Sequence, residues 1–250
     1  MLNIPAYLDR IRYSGSTAIS QEVLRDLHRA HLLNVPFENL DIGLGRKIVC
    51  EEEAFLRKVV EQHRGGFCYE LNGAFAALLQ GLGFRVTLLS ARVPREDGSD
   101  GPEFDHLALR VDLQEAWLAD VGFGESFLEP LRLEPDAELR QNTGTFRIAR
   151  EGNSLRVERN LPNEVWKSQY CFGLTPRRLD EFAPMCHYHQ TSPESPFTRK
   201  SVCTRATPGG RITLSGWRLI RTSDGKREES SLNSDQEWRD ALKQYFEVVL

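Results

Sequence analysis

The chain has 250 residues and a formal net charge of −4 at neutral pH, with 40% hydrophobic and 27% charged residues. This length is sufficient to bury a substantial core, and the composition is typical of a globular protein. The negative charge argues against a nucleic-acid-binding protein, because neutralising a phosphate backbone requires a concentrated basic surface. The sequence contains no apolar run long enough to span a bilayer, so we expect neither nucleic acid nor membrane as a partner.

The cysteine content indicates a reducing compartment. The five cysteines are odd in number and scattered along the chain, whereas a disulfide framework uses paired cysteines. The N-terminal segment MLNIPAYLDRIRYSG lacks the basic start and the apolar block of a signal peptide. We therefore expect a cytoplasmic protein with free thiols.

Residues 1–83 have the pattern of a helical lobe. Ser20 is a candidate N-cap for the helix SQEVLRDLHRAHL, and the acidic start of EEEAFLRKVVEQH suits the positive end of a second helix. From Leu71 onward, apolar residues recur at helical spacing until Gly81 and Gly83, which supply stop signals. Three histidines in these helical patterns are interpreted as surface or lobe-packing residues: His28, His31 and His63.

From Phe84 the pattern changes to short strands and turns. Apolar runs bounded by turn residues predict strands in FRVTLLSARV, FDHLALRVDL, AWLADVGFG and VWKSQYCFGL, and a hairpin in TFRIAREGNSLRVER. The segment 94–103 is rich in turn residues. The rest of the chain predicts a helix over PRRLDEFAPMCHYH, two hairpins and a closing helix with a capping box, Ser234 with Glu237. The chain is therefore predicted to have three parts: 1–83, 84–175 and 176–250.

The segment RGGFCYELNGAF places a single cysteine, Cys68, between a paired-glycine turn and a helix. Unpaired N–H groups and the positive dipole end at a helix N-terminus favour a thiolate over a thiol. Core filling near a turn is the commoner explanation for an isolated cysteine, so a nucleophile requires a base and an orienting acid elsewhere in the chain. We interpret Cys68 as a candidate nucleophile on that condition.

His106 and Asp120 are the candidate base and orienting acid. His106 lies in the apolar strand FDHLALRV, where a satisfied core histidine is the simpler interpretation. Asp120 ends the next strand, and adjacent strands bring their side chains within hydrogen-bond distance of each other. An aspartate that only forms a turn is the alternative interpretation. A four-residue hairpin loop, LQEA, would direct the two side chains to opposite faces of the sheet. The assignment therefore requires an odd loop length or a bulge.

Four motifs, VPFENL, RGGFCYELNG, FDHLALRV and LADVGFG, strongly resemble the arylamine N-acetyltransferase family in their order and spacing. The resemblance continues through YCFGLTPR and QTSPESPF, so it covers nearly the whole chain. It implies an α+β fold with an N-terminal helical bundle, a central β-barrel and a C-terminal α/β lid around a papain-like core. It also implies that Cys68 accepts the acetyl group, that His106 is its base and that Asp120 orients the histidine.

The reaction implied by the resemblance is acetyl transfer from acetyl-CoA to an arylamine, arylhydroxylamine or hydrazine. One cysteine serves both half-reactions, so the expected mechanism is ping-pong through an acetyl-cysteine thioester. Xenobiotic detoxification is one role that this chemistry serves.

The resemblance also implies supporting residues. Glu38 would pair with Arg64 and tie the first helices to the turn that presents Cys68. The Tyr170 hydroxyl would support Asp120, although a strand tyrosine also suits an ordinary core. Three residues correspond to the walls of an apolar aryl pocket and equally suit core packing: Phe37, Val93 and Phe123.

For coenzyme A, the segment VGFGESF offers Gly122 and Gly124, whose amides are candidates to approach the pyrophosphate, although a tight bend is the plainer interpretation. By resemblance, Tyr188 and Thr204 correspond to coenzyme A contacts of some members. Two other contact positions carry small hydroxyl residues in those members but not in this chain: Glu194 and Pro196. Basic residues that suit either phosphates or a solvated face follow: Arg199, Lys200 and Arg205.

Other interpretations stay open at this stage. A transglutaminase-like or papain-like hydrolase shares the Cys-His-Asp logic, but VPFENL and TSPESPF favour the acetyltransferase. An amide synthase that closes a macrolactam ring is a closer relative with the same triad. The CHYH segment at 186–189 offers metal-ligand residue types without the second ligand pair of a zinc site, so we expect no metal. The oligomeric state is not predicted.

Overall fold

The computed structural model describes residues 2–95, 97–161, 164–223 and 225–250. The predicted turn at 94–103 and the last predicted hairpin each include one residue outside these ranges. The N-terminal helices are α1 Ile4–Arg10, α2 Gln21–Asn34, α3 Leu40–Gly43, α4 Glu52–Leu56 and α5 Cys68–Gly81. A π-helical turn extends α4: Arg57–Glu61. The C-terminal helices are α6 Ala183–Thr191, α7 Pro196–Arg199 and α8 Asp235–Phe246.

The strands follow in chain order as β1 Phe37–Glu38, β2 Arg85–Arg92, β3 His106–Asp112, β4 Ala116–Ala119, β5 Leu131–Arg132, β6 Leu139–Gln141, β7 Gly144–Glu151, β8 Ser154–Asn160, β9 Lys167–Phe172, β10 Val202–Thr207, β11 Gly210–Ser215, β12 Arg218–Ser223 and β13 Lys226–Ser231. Strands β2 to β9 form an antiparallel sheet in the order β5-β4-β3-β2-β9-β8-β7-β6. Its ends approach each other where β5 contacts β7, so the sheet is a nearly closed barrel. Alternate residues of β7 and β8 fill the barrel core, as the two-residue period of a strand requires: Phe146, Ile148, Leu155 and Val157.

A second antiparallel sheet, the lid sheet, has the order β1-β10-β11-β12-β13. Its edge strand β1 comes from the helical part of the chain and pairs Phe37 with Thr204. One side of this sheet, the outer face, packs against α8 through Leu214, Leu219 and Phe246. The opposite side, which bears Phe37 and Thr204, is called the inner face.

Helix α5 lies at the centre of the helical part. Every residue from Cys68 to Leu79 is buried, so packing on all sides stabilises this helix rather than one amphipathic stripe. The Glu70 carboxylate accepts the N–H of Phe67 at 3.1 Å and satisfies a donor at the helix start. Gly83, with φ of +94°, follows the helix end, where the left-handed conformation favours glycine. Because α5 lies at the centre of the helical part, its first residue, Cys68, is in the interior of the protein.

Two predicted features, the helix over PRRLDEFAPMCHYH and the capping box of α8, differ in detail from the structure. The helix predicted over PRRLDEFAPMCHYH divides into a 3-10 turn, Leu179–Phe182, and α6. Pro184 occupies the first turn of α6, because its missing N–H donor is tolerated only there. The part boundaries at residues 83 and 175 stay predictions.

The capping box of α8 is present in a shifted form. Ser234 Oγ accepts the N–H of Glu237 at 3.2 Å, as predicted. The Glu237 carboxylate accepts the N–H of Asn233 at 2.8 Å, one residue before the N-cap. Across the described residues, no helix is both long and apolar enough to cross a membrane.

Candidate active site

Cys68 is the first residue of α5 and is only 3% exposed. The chain enters this helix through two glycines that have no room for a side chain. A Cβ on Gly65 would lie 2.0 Å from the Pro36 carbonyl oxygen, and one on Gly66 would lie 2.6 Å from the Cβ of Glu70. The paired glycines therefore permit the close backbone contacts that fix the turn before the thiol.

His106 begins β3, and Asp120 follows β4. His106 Nε2 donates to Asp120 Oδ2 at 2.7 Å, and both residues are buried. The two strands pair Asp112 with Ala116, so the loop consists of the three residues 113–115 rather than the four residues of LQEA. An odd loop directs the two side chains to one face of the sheet, which meets the condition set by the sequence.

Asn72 connects the nucleophile helix to the acid. It lies one helical turn after Cys68, and its Nδ2 donates to Asp120 Oδ1 at 2.8 Å and to the Leu107 carbonyl at 2.6 Å. Its Oδ1 accepts the N–H of Val121 at 2.9 Å. The sequence analysis did not identify Asn72, although the four-residue spacing from Cys68 places it on the same helix face.

His28 holds the backbone of the acid. Its Nε2 accepts the N–H of Asp120 at 3.0 Å, and its Nδ1 donates to the Leu128 carbonyl at 2.9 Å. Burial lowers the pKa of His28 to about 4, so the ring is neutral near pH 7. His28 and His31 are both fully buried, so the lobe-packing interpretation is correct for them and the surface interpretation is wrong.

The thiol of Cys68 is strongly desolvated. Burial raises its pKa well above the ordinary value, and the Asp105 and Asp120 carboxylates raise it further. Hydrogen bonds from the main-chain N–H groups of Leu107 and Tyr69 to the sulfur act in the opposite direction. Burial therefore opposes the thiolate that the helix terminus favours, and the resting protonation state of Cys68 stays a prediction.

Asp120 is an ionised carboxylate despite its burial. Burial raises its pKa, but His106, Asn72 and the N–H of Gly122 outweigh this effect and hold the pKa below its ordinary value. The Asp120 carboxylate accepts a hydrogen bond from the protonated Nε2 of His106. The ring nitrogen left for proton exchange is therefore Nδ1.

Tyr170 packs its ring against His106 and places its hydroxyl near the Asp120 carboxylate. The two ring centroids lie 5.0 Å apart, and burial followed by the Asp120 charge raises the pKa of the phenol. The buried Tyr170 hydroxyl lies close enough to Asp120 for a hydrogen bond to the carboxylate to contribute to this raised pKa, with a geometry looser than that of a regular hydrogen bond. The hydroxyl support of Asp120 stays a prediction.

The predicted pair Glu38–Arg64 is present within a larger buried network. Arg64 Nη2 donates to Glu38 Oε1 at 2.7 Å and to Asp41 Oδ1 at 3.1 Å. Lys58 Nζ lies 2.7 Å from Asp41 Oδ2 and 2.8 Å from Glu70 Oε1. Burial raises the pKa of Glu70 to about 7 although Lys58 opposes this. Sequence reasoning missed three of these five residues, because they come from separate helices.

The three predicted aryl-pocket residues occupy different positions. Phe123 packs edge-on against His106 with ring centroids 5.3 Å apart, and Val93 belongs to the same barrel cluster. Phe37 bridges to Gly66 beside the nucleophile turn. The role of these residues in aryl binding stays a prediction.

The two glycines predicted to contact coenzyme A differ. A Cβ on Gly122 would lie 2.8 Å from the Cys68 Cα, and the Gly122 N–H already donates to Asp120 Oδ1 at 2.9 Å. That amide is therefore not available to a pyrophosphate, and this glycine permits the close approach of strand end and helix. Gly124, with φ of +87°, faces the Phe37 ring and stays a predicted contact.

The two remaining predicted contacts lie in the C-terminal part. Thr204 is buried, and its Oγ1 lies 2.6 Å from Thr213 Oγ1 and accepts from Arg211 Nη1 at 2.9 Å. Tyr188 is exposed on α6, with its ring against His189 at 5.6 Å. Neither observation tests coenzyme A binding.

The basic residues suggested for phosphates are largely engaged within the protein. Arg199 pairs with Glu194 at 3.1 Å. Arg205 Nη2 donates to the Tyr245 carbonyl at 2.8 Å. Lys200 is exposed, which fits a solvated face.

The CHYH segment packs into the protein through its last histidine. His189 Nδ1 lies 3.2 Å from Ser195 Oγ, and Nε2 lies 3.1 Å from Asp105 Oδ1. Over the ranges that the structure describes, no three histidine, cysteine or acidic residues are grouped as metal ligands.

Comparison with known proteins assigns the family. The profile described as N-acetyltransferase matches residues 20–250. A relative from Salmonella typhimurium, named arylamine N-acetyltransferase / N-hydroxyarylamine O-acetyltransferase, is 36% identical over 229 residues, which cover 90% of this chain and 80% of the relative. The chain belongs to the arylamine N-acetyltransferase family. It is accordingly a transferase.

Solved structures of the family agree with this fold. The arylamine N-acetyltransferase from Salmonella typhimurium superposes with a TM-score of 0.92 at 33% identity, covering 97% of this chain and 90% of that one. The enzyme from Mycobacterium marinum in complex with CoA gives 0.91 at 31% identity, covering 98% and 92%. The predicted class, a helical bundle, a β-barrel and an α/β lid with a papain-like core, is confirmed.

Proposed function

We propose that this member of the family transfers an acetyl group from acetyl-CoA to an arylamine, arylhydroxylamine or hydrazine through an acetyl-Cys68 intermediate. The observation that carries the proposal is a buried thiol at a helix N-terminus, whose neighbours Leu107 and Gly122 adjoin the bonded pair His106–Asp120 in the chain. The names of the relatives support the acceptor class, and the relative in complex with CoA supports the donor.

In the first half-reaction, the Cys68 thiol gives its proton to His106 Nδ1 as the sulfur attacks the thioester carbonyl. Asp120 stabilises the resulting imidazolium through the 2.7 Å hydrogen bond at Nε2. The new carbon–sulfur bond forms, the old one breaks, and the leaving coenzyme A thiolate takes the proton back from His106. Loss of the proton to His106 converts Cys68 to the thiolate, which is the nucleophilic form of the side chain.

The oxyanion of the tetrahedral intermediate requires fixed donors. The main-chain N–H groups of Leu107 and Tyr69 approach the Cys68 sulfur and lower its pKa, so they lie close to the carbon that the sulfur attacks. We assign the oxyanion to these two donors, which a buried site strengthens.

In the second half-reaction, the amine attacks the acetyl group on Cys68. His106 Nδ1 removes a proton from the attacking nitrogen and returns it to the departing sulfur. Phe123, which packs edge-on against His106, is placed to contact the aromatic ring of the acceptor, and Phe37 and Val93 complete the proposed apolar walls. Gly124, Thr204 and Tyr188 remain the proposed contacts of the donor.

The proposal extends to the setting of the reaction. We place it in the cytoplasm, because free thiols persist in a reducing compartment and the five cysteines are unpaired. No metal ion takes part in the proposed steps, since nucleophile, base and oxyanion donors all come from the chain. The three-part division at residues 83 and 175 accompanies this proposal.

Intact-protein mass spectrometry after mixing with acetyl-CoA, without an amine, tests the proposal. We expect one acetyl group, which peptide mapping assigns to Cys68 and which an arylamine removes. The Cys68→Ala variant should remain unlabelled and folded, and Cys203→Ala is the matched control because this buried thiol lies in the lid sheet. If no arylamine removes the acetyl group, the arylamine is the wrong acceptor, and the acceptor of an amide synthase takes its place in the proposal. Absence of both adduct and coenzyme A release would contradict the donor.

A further inference from the structure

The inner face of the lid sheet carries a cation close to two hydroxyl groups. Strands β10 and β11 pair Thr204 with Thr213 and Ala206 with Arg211, so all four residues share one face. Phe37, the partner of Thr204 on β1, lies on the same face. This face therefore presents an arginine and two threonines beside a proposed wall of the aryl pocket.

Arg211 has no carboxylate partner among the described residues. Its Nη1 donates to Thr204 Oγ1 at 2.9 Å, and this is the one hydrogen bond that its side chain makes to the described part of the chain. Glu125 attracts the charge from a distance, but Glu125 forms an ion pair with Arg159 at 3.0 Å. By contrast, Arg218 on the same face lies 3.6 Å from a carboxylate oxygen of Glu229.

The positive charge of Arg211 is partly desolvated and is not compensated by a nearby carboxylate of the described residues. The residue is half-buried, and burial lowers its pKa to about 10. The Arg159 guanidinium lowers the pKa further, whereas Glu125 partly opposes both effects. A desolvated cation is stabilised by an anion that accepts charge-assisted hydrogen bonds, and the planar guanidinium suits bidentate contact with phosphate or carboxylate.

The location of Arg211 connects it to the active site. Glu125, which attracts it, lies in the turn that follows the triad residue Asp120. In the same turn, Gly124 packs against the Phe37 ring, with 3.5 Å between the ring and the position of an added Cβ. The arginine therefore lies on the side of the lid sheet that faces the turn after Asp120.

We propose that Arg211 is a substrate-binding residue that holds an oxyanion carried by one of the two substrates. This inference rests on the proposed function, which brings a phosphate-bearing donor and an aromatic acceptor close to this turn. The oxyanion has two sources with the same chemistry, a phosphate of coenzyme A or a carboxylate on an acidic arylamine. The Thr204 hydroxyl, which accepts from Arg211 Nη1 at 2.9 Å and donates to the Ile212 carbonyl at 3.2 Å, fixes the position of the guanidinium.

Steady-state kinetics of Arg211→Gln distinguish the two sources. The donors are acetyl-CoA and para-nitrophenyl acetate, which carries no phosphate, and the acceptors are para-aminobenzoate and the uncharged aniline. We expect KM for the anionic donor or the anionic acceptor to rise about tenfold or more, since loss of a charge-assisted contact has that size. KM for the uncharged counterpart should change less than about twofold. A rise confined to acetyl-CoA assigns the phosphate, and one confined to para-aminobenzoate assigns the carboxylate.

Matched variants separate binding from structure. Arg218→Gln removes the same charge from the same face and should leave every KM within about twofold of wild type, because Arg218 is exposed and paired. Arg211→Lys keeps the charge but loses the planar fork, so it should restore part of the lost affinity. Thermal melting checks that each variant is folded, and Arg211→Lys serves as the test if Arg211→Gln does not fold.

Equal KM values in folded wild type and Arg211→Gln for all four substrates would overturn the inference. If the wild-type protein transfers no acetyl group from acetyl-CoA, the proposed function fails, and calorimetric titration with coenzyme A and para-aminobenzoate decides the role of Arg211 separately. Weaker binding of either anion to Arg211→Gln supports the role, and equal binding of both excludes it.

Discussion

Two buried polar clusters surround Cys68 and differ in their chemistry. The triad cluster contains His106, Asp120, Asn72 and His28, and the charge cluster contains Glu38, Asp41, Lys58, Arg64 and Glu70. In the triad cluster, one carboxylate accepts hydrogen bonds in defined directions from Asn72, His106 and the Gly122 N–H. In the charge cluster, two cations share three carboxylates.

This difference indicates that the clusters serve separate purposes. Directional single bonds fix the tautomer and orientation of a base, so their loss should reduce the rate of acetyl transfer. Shared ion pairs neutralise several buried charges at once, so the loss of one cation should reduce stability. The turn at Gly65 and Gly66 depends on the second cluster, since Glu70 also accepts the Phe67 N–H there.

The largest expected effect is on the triad cluster. Asp120→Asn should lower kcat/KM by about 10⁴-fold, because an amide no longer stabilises the imidazolium and permits the wrong tautomer of His106. The measurement is acetyl-transfer kinetics on folded protein. Asp112→Asn, on the same hairpin and paired with Arg110, should stay close to wild type. A wild-type rate for Asp120→Asn would mean that another group orients His106.

The charge cluster should respond in stability. Arg64→Met should lower the free energy of unfolding by about 3–5 kcal/mol, because it leaves Glu38 and Asp41 less compensated in the interior. Urea denaturation measures this loss, and the exposed Arg57→Met is the matched control. The comparison between the clusters would break down if Arg64→Met kept full stability and instead lost as much kcat/KM as Asp120→Asn.

The pH dependence of stability sharpens the comparison at His28. Its pKa is lowered from 6.5 to about 4 in the folded protein, so its contribution is complete above pH 6.5 and is lost as pH falls towards 4. This loss amounts to about 3 kcal/mol for a group with that shift. His31, whose pKa is also lowered by burial, acts in the same direction. His28→Gln should show a shallower loss of unfolding free energy between pH 6.5 and 5, and an unchanged slope would contradict the assignment.

The smallest effect is expected for Glu70→Gln. The folded-state pKa of Glu70 is raised from 4.5 to about 7, so its favourable contribution is present below pH 4.5 and is lost as pH rises through 7. At pH 7 the variant should therefore lose only about 1 kcal/mol, the value of ordinary hydrogen bonds. The difference from wild type should shrink further at pH 8. Denaturation at pH 5 and pH 8 measures this trend, and a larger deficit at pH 8 would oppose it.

The local pattern of the sequence predicted the position of the candidate nucleophile in the fold. Paired glycines followed by apolar residues at helical spacing are short-range signals, and Cys68 is indeed the first residue of α5. Asn72 was also within reach of such reasoning, since its spacing from Cys68 follows from helix geometry. The hairpin carrying His106 and Asp120 was predicted as strands, but its loop length was left open because strand register depends on pairing.

Sequence by itself thus determined the helix that presents Cys68, the strands that carry its partners and, through the family resemblance, the fold. Tertiary structure decided what depends on contacts between distant segments. His28 bonds to Asp120 across 92 positions of chain, and the Cys68 pKa follows from burial. Among the described residues, Arg211 has no carboxylate partner because of the face on which the lid sheet places it. Local propensity determines elements over a few residues, whereas desolvation and charge pairing depend on the assembled interior.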